Sequence, residues 1–120
     1  QFYAGGKHPK ARKAGRIPTA VLMDQDNAYS TEGNRLKSQD ELAKIYSNLG
    51  DKIIVSYCNT GHWAATNWFV LSEVARIDGV KLYAESMVEW SALNQPMENV
   101  PTTVQFAILK TKKWFNSLVN

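Results

Sequence analysis

The sequence predicts an α/β fold, a parallel sheet flanked by helices. Two observations point to it. The middle of the chain reads strand–helix–strand–helix–strand, the order that builds a parallel sheet covered by helices. At 120 residues with 44% hydrophobic content, the chain is long enough for one core and one domain.

The elements follow in chain order. Residues 1–20 are rich in Gly, Lys, Arg and Pro and read as a surface loop. Ile17, Ala20, Val21 and Leu22 form a short apolar stretch that reads as a strand, closed by a polar run over residues 24–34. Ser38 is a helix N-cap, Glu41 completes a capping box, and Leu42, Ile45, Tyr46 and Leu49 follow at helical spacing up to Gly50. Residues 53–57 (Ile-Ile-Val-Ser-Tyr) carry no charge and predict a strand buried on both faces. Ala64, Ala65, Trp68, Leu71, Ser72 and Ala75 then mark a helix ended by Gly79, and residues 80–83 a second strand. A polar, Pro-containing connection spans residues 85–101. Val104, Ile108, Thr111, Phe115 and Leu118 mark a last amphipathic helix over about residues 103–118, with Lys110, Lys112 and Lys113 in its later turns.

Composition removes several function classes. No apolar run approaches the ~20 residues of a membrane-spanning helix. The net charge of +3 is mild and its lysines and arginines are scattered, which argues against a nucleic-acid stripe and suits an anionic small substrate. One cysteine and two distant histidines, His8 and His62, offer no zinc ligand set. The Asp24-Gln25-Asp26-Asn27 run lacks the Gly and downstream Glu of a calcium loop and reads as a turn.

Chemistry concentrates at Cys58. An apolar strand ends in this cysteine, a short turn with Gly61 follows, and a helix starts at once. Open α/β sheets place ligands beyond the carboxyl ends of their strands, at such turns. Backbone N–H groups over Asn59, Thr60, Gly61, His62, Trp63 and Ala64, with the positive end of the helix dipole, would stabilise a sulfur anion. The other reading of a lone cysteine is an inert buried side chain, and the residues by themselves leave both open. His62 is either an aid to the substrate or an exposed residue at a helix start.

Three segments resemble the rhodanese family of sulfurtransferases. They are the Cys58-Asn59-Thr60-Gly61 loop between strand and helix, Tyr83-Ala84-Glu85-Ser86-Met87-Val88-Glu89-Trp90, and Gly15-Arg16-Ile17-Pro18-Thr19-Ala20. The second resembles Tyr-x-Gly-Ser-x-x-Glu-Trp with Glu85 where Gly is usual. The third resembles Gly-His-Ile-Pro-Gly-Ala, with Arg16 and Thr19 as departures. The match covers roughly residues 2–92. It implies a three-layer fold with a parallel central sheet flanked by helices, and transfer of sulfane sulfur from a donor such as thiosulfate or mercaptopyruvate to a thiophilic acceptor. Cys58 takes the catalytic position and residues 59–64 the active loop. Sulfur is carried covalently on Cys58, with no metal and no cofactor.

The resemblance also implies a gap. Family domains begin with a helix-and-strand unit whose second strand lies beside the catalytic one, and this chain starts after it. The expectation is that residues 1–120 form the C-terminal portion of one domain, completed by a separate N-terminal chain or fragment, for example after nicking near Gln1, because a lost inner strand exposes ladder groups. Family loops often carry Arg or Lys where Asn59, Thr60, His62 and Trp63 stand, which leaves the donor open. Arg12, Arg16 and Ser86 are candidate anion contacts. Ala64 occupies the place where a phosphatase loop needs its arginine, which argues against phosphate chemistry. The competing functions are a non-catalytic rhodanese-like binding module and a sulfur-carrier or redox relay working with a protein partner. Neither nucleic acid nor membrane is an expected partner, and the compartment stays open between cytoplasm and periplasm.

Overall fold

The computed structural model describes residue 3, residues 5–32 and residues 34–119, except the side chains of Phe106, Leu109, Lys113, Ser117, Leu118 and Val119. The expectations attached to Gln1, Lys113 and Leu118 therefore lie outside the described residues or side chains. The described chain is a mixed α/β structure with a two-stranded parallel sheet and helices α1 (Gln39–Ile45), α2 (His62–Phe69), α3 (Ser86–Ala92) and α4 (Thr103–Val119). It forms two compact units, one combining residues 1–21 with 87–120 and one spanning residues 22–86.

The central unit holds the sheet. Strands β1 (Val55–Ser56) and β2 (Lys81–Leu82) run parallel with Val55 opposite Lys81 and Ser56 opposite Leu82. Lys81 N–H donates to Ile54 O at 2.8 Å and Tyr83 N–H to Ser56 O at 2.9 Å, extending the pairing at both ends. Helix α2 lies between the two strands in sequence, as a crossover between parallel strands requires. α1 starts where its capping box predicts: Ser38 Oγ accepts from Glu41 N–H, and Glu41 Oε2 accepts from Ser38 N–H at 2.9 Å. Its Leu42 and Tyr46, one turn apart, bury against Ala28, Val70, Leu71 and Ala75. The chain leaves α1 through a 3₁₀ turn (Ser47–Leu49) to Gly50. α2 runs directly into a π-helical turn (Val70–Val74) that places Val70 and Leu71 in this core, each at most 2% exposed.

Four sequence expectations are corrected. Residues 17–22 form no strand; Val21 is 80% and Leu22 63% exposed, so their apolar character does not mark a buried ladder. The strand predicted over residues 53–57 shrinks to Val55–Ser56, and it is not buried on both faces, since Ile53 is 78% and Val55 51% exposed. The helix after Cys58 ends before Gly79. Arg76, at φ +56°, takes the left-handed position, and Ile77 N–H reaches back to Leu71 O at 2.9 Å, closing the end of the π-helical turn. The connection over residues 85–101 contains α3, which buries Met87 and Ser91 four residues apart. Seven residues with two serines were too short a pattern to predict it.

In the other unit, Arg16 and Glu98 exchange two backbone hydrogen bonds of 2.9 Å, and their side chains pair at 3.5 Å. Gly15, at φ +117°, has no room for a side chain there, since a Cβ would lie 2.7 Å from Glu98 O. Ala20 N–H donates to Ile17 O at 3.2 Å across a turn with Pro18 second and Thr19 third. Thr19 sits at φ +66°, a left-handed conformation that opposes a β-branched side chain and favours glycine. In α4, Val104, Ile108 and Phe115 are each more than half exposed, so this helix does not bury its apolar row within its own unit.

Two stability measurements follow. Leu42→Ala should lower the free energy of urea unfolding by about 2–5 kcal/mol through the cavity it opens, whereas Leu22→Ala should stay within about 0.5 kcal/mol of wild type. Thr19→Gly should raise stability by about 1 kcal/mol by relieving the left-handed backbone. A loss of stability in that variant would show that the turn tolerates its threonine.

Candidate active site

The site is built from the end of β1, the loop that follows it, and the first turn of α2. Ser56, the last residue of β1, is buried and its Oγ donates to Ala64 O at 2.8 Å, tying strand to helix across the loop. Two residues on, Cys58 is half-buried, and its backbone N–H donates to Ser86 Oγ at 3.0 Å. Ser86 is fully buried and its own hydroxyl donates to Tyr83 O at 2.9 Å. The hydroxyl thus links the loop backbone to the end of the β2 segment. It acts on the Cys58 amide, in contrast to the anion contact expected of it.

Gly61 closes the loop. It is the N-cap of α2 at φ +88°, and a Cβ in its place would lie 2.1 Å from Ala84 O. No residue but glycine combines that dihedral with that close an approach. The consequence is that Gly61 N–H turns back onto the sulfur, donating to Cys58 Sγ at 3.1 Å. Partial burial is the largest influence on the thiol and pushes its pKa up, but the N–H groups of Ala64, Thr60, Gly61 and Trp63 together outweigh it. The net result is a thiol that ionises below its ordinary range, held by four backbone donors with no side-chain base.

The other predicted residues divide around this centre. Thr60 and His62 engage each other, Oγ1 to Nδ1 at 3.2 Å, on the exposed side of the loop. Trp63 contributes its amide to the sulfur and leaves its side chain 61% exposed. Asn59 lies in the loop without a helical or strand conformation. Arg12 and Arg16 belong to the other compact unit. There the Arg16 guanidinium lies 4.5 Å from the Tyr3 ring centroid and pairs with Glu98, while Arg12 N–H donates to Ser91 Oγ at 2.9 Å. Among the described residues no cluster of three His, Cys, Asp or Glu could hold a metal ion. The Asp24–Asn27 run is the start of a 3₁₀ turn (Gln25–Ala28) capped by the Asp24 carboxylate, which accepts from Asp26 N–H. No helix in the described residues is long and apolar enough to cross a membrane.

Sequence reasoning missed the Ala84 carbonyl as the surface against which Gly61 is pressed. The glycine was legible, but the partner depends on how β2 returns beside β1.

Comparison with known proteins agrees with the three segments noted in the sequence. The profile of the Rhodanese-like domain matches residues 7–93. A protein of Saccharopolyspora erythraea named "Putative thiosulfate sulfurtransferase" is 36% identical over 93 residues, covering 74% of this chain and 33% of that protein. The thiosulfate sulfurtransferase of Corynebacterium glutamicum is 34% identical over 94 residues, 76% of this chain and 31% of its own. A Synechococcus elongatus protein bearing the same name as the first is 32% identical over 108 residues, 86% of this chain and 33% of its own. The chain thus spans about a third of the length of the curated relatives it matches.

The depressed thiol pKa gives a pH test. Alkylation of Cys58 by iodoacetamide should rise with pH through a midpoint below the ~8.5 of a free thiol. Gly61→Ala, which must move the loop off Ala84 O, should shift that midpoint upward. Because the folded value lies below the unfolded one, ionisation of Cys58 stabilises the fold fully above the unfolded thiol's pKa. That contribution disappears as pH falls through the folded value. An unshifted midpoint in the variant would mean that the loop amides do not set the ionisation.

Proposed function

The chain belongs to the rhodanese-like domain family, and from that membership we propose that it acts as a sulfurtransferase through a persulfide on Cys58. The observation that carries this reading is the 3.1 Å hydrogen bond from Gly61 N–H to Cys58 Sγ, with the amides of Ala64, Thr60 and Trp63 also favouring the thiolate. The names of its relatives support thiosulfate as a donor.

The proposed cycle has two displacements. In the first, the Cys58 thiolate attacks the outer sulfur of thiosulfate. The S–S bond of the donor breaks, sulfite leaves with the electron pair, and Cys58 holds a persulfide anion. In the second, a thiophilic acceptor attacks the terminal sulfur, the persulfide S–S bond breaks, and Cys58 leaves as a thiolate. Each step exchanges one S–S bond or one sulfur, so no oxidant or reductant and no cofactor is called for. The same amides that hold the thiolate can hold the terminal sulfur of the persulfide, an anion one atom longer. Arg16 is engaged by Glu98 and Tyr3, and the loop amides are proposed to take the anionic donor. Mercaptopyruvate remains the alternative donor.

We further propose that the parallel sheet continues beyond β1 in a three-layer arrangement, with its additional strands supplied by a separate N-terminal segment. β1 is paired on one edge by β2, and Ile53 and Val55 are mostly exposed, which is the apolar surface such a strand would cover.

Incubation with thiosulfate should add the mass of one sulfur atom to the intact protein, and cyanide should then release thiocyanate. Cys58→Ser should abolish both signals. Added sulfur without thiocyanate would favour a carrier that needs a protein partner. Absence of both signals from the wild-type protein would overturn the sulfurtransferase reading in favour of a binding module.

A further inference from the structure

Helix α4 (Thr103–Val119) presents an apolar side that its own unit leaves uncovered. At about 100° per residue, Val104, Ala107, Ile108, Thr111, Trp114 and Phe115 fall within an arc of about 120° on the helix surface. All six are exposed, Val104 at 69% and Phe115 at 59%. The one hydroxyl in the arc is satisfied by the helix itself, since Thr111 Oγ1 donates to Ala107 O at 2.9 Å. Lysines stand at both borders. Lys110 lies about 40° beyond Trp114 on one side and Lys112 about 40° beyond Ile108 on the other, both exposed. Residues 103–119 contain no acidic residue. The unit to which the helix belongs holds eight lysines and arginines against two acids, Glu89 and Glu98, and Glu98 pairs with Arg16.

This charge pattern discriminates among the surfaces that could cover the arc. A second copy of α4 would set lysines against lysines along the borders, and like charges repel. An anionic lipid bilayer matches each part. Its acyl boundary takes the apolar arc, and its headgroup layer suits an indole at the arc's edge. The lysine stems run outward along the apolar surface, so that their ammonium groups meet the acidic headgroups. We propose that α4 lies along the surface of an anionic bilayer, with this arc sunk to the headgroup boundary and Lys110 and Lys112 facing acidic lipids. A sequence with no apolar run long enough to span a bilayer suggests no membrane partner, but a helix lying along the surface needs no such run. Binding of this kind does not depend on the sulfur chemistry at Cys58.

The test mixes the full chain with vesicles of equal parts phosphatidylserine and phosphatidylcholine, and with vesicles of phosphatidylcholine alone, and measures the bound fraction by cosedimentation. The acidic vesicles should bind the chain more tightly, and added salt should release it. Lys110→Gln combined with Lys112→Gln should weaken that binding by about thirtyfold, the effect of two lysines near a charged surface. Ile108→Asp, at a position 51% exposed, should abolish it while leaving the far-ultraviolet circular dichroism of the chain unchanged. Failure of the wild-type chain to bind the acidic vesicles, or equal binding to both vesicle types, would overturn the proposal. So would binding that survives both sets of substitutions. A concentration-dependent dimer without vesicle binding, lost in Ile108→Asp, would overturn it in favour of a second copy on this face.

Discussion

The contact between Gly61 and the Ala84 carbonyl determines the rest of the site. It presses the loop against the backbone that follows β2, so the amide of residue 61 has nowhere to point but back toward Cys58. A loop free to relax outward would lose this convergence, and the half-buried sulfur would then respond to burial alone, which favours the neutral thiol. Two further ties hold the geometry from either side. Ser56 binds the carbonyl of Ala64, and Ser86 binds the amide of Cys58. Both serines are buried, so each hydrogen bond forms where water does not compete strongly for it. The electrostatic effect on the sulfur is therefore a product of packing, set before any substrate arrives.

The parallel pairing of β1 with β2 is what brings these parts together. Residues 58 and 86 are 28 positions apart, yet the register Ser56 with Leu82 sets the ends of the two strands side by side. The buried core that fixes this register lies on α1 and the π-helical turn, around Leu42, Val70 and Leu71. The π-helical turn matters because it continues α2 without a break. A helix carrying the active-loop amides at one end and core side chains at the other transmits the rigidity of the core to the loop.

How much of this was legible in the sequence depends on whether a feature is local. The capping box at Ser38 and Glu41 was readable because both partners lie within one turn. The Cys58 loop was readable because strand, glycine and helix start follow one another within a few residues. Hydrophobicity misled where it was not tied to pairing: Val21, Leu22, Ile53 and Val55 are apolar but mostly exposed, because burial depends on partners that no short window contains. The helix stop was misplaced because a non-glycine residue, Arg76, adopts the left-handed turn while glycine stands three residues later.

Departures from the family pattern can also be weighed physically. At the turn after Ile17, Thr19 holds a positive φ at a local cost that a glycine would not bear. Within the active loop the departures have a different character. The groups that act on the sulfur are the backbone amides of Thr60, Gly61, Trp63 and Ala64, which a change of side chain at Thr60, Trp63 or Ala64 leaves in place. Stabilisation of the sulfur anion is thereby insulated from side-chain change, while recognition of what approaches it is free to vary. One scaffold can in this way keep a single chemistry and alter its substrates through the side chains around the loop.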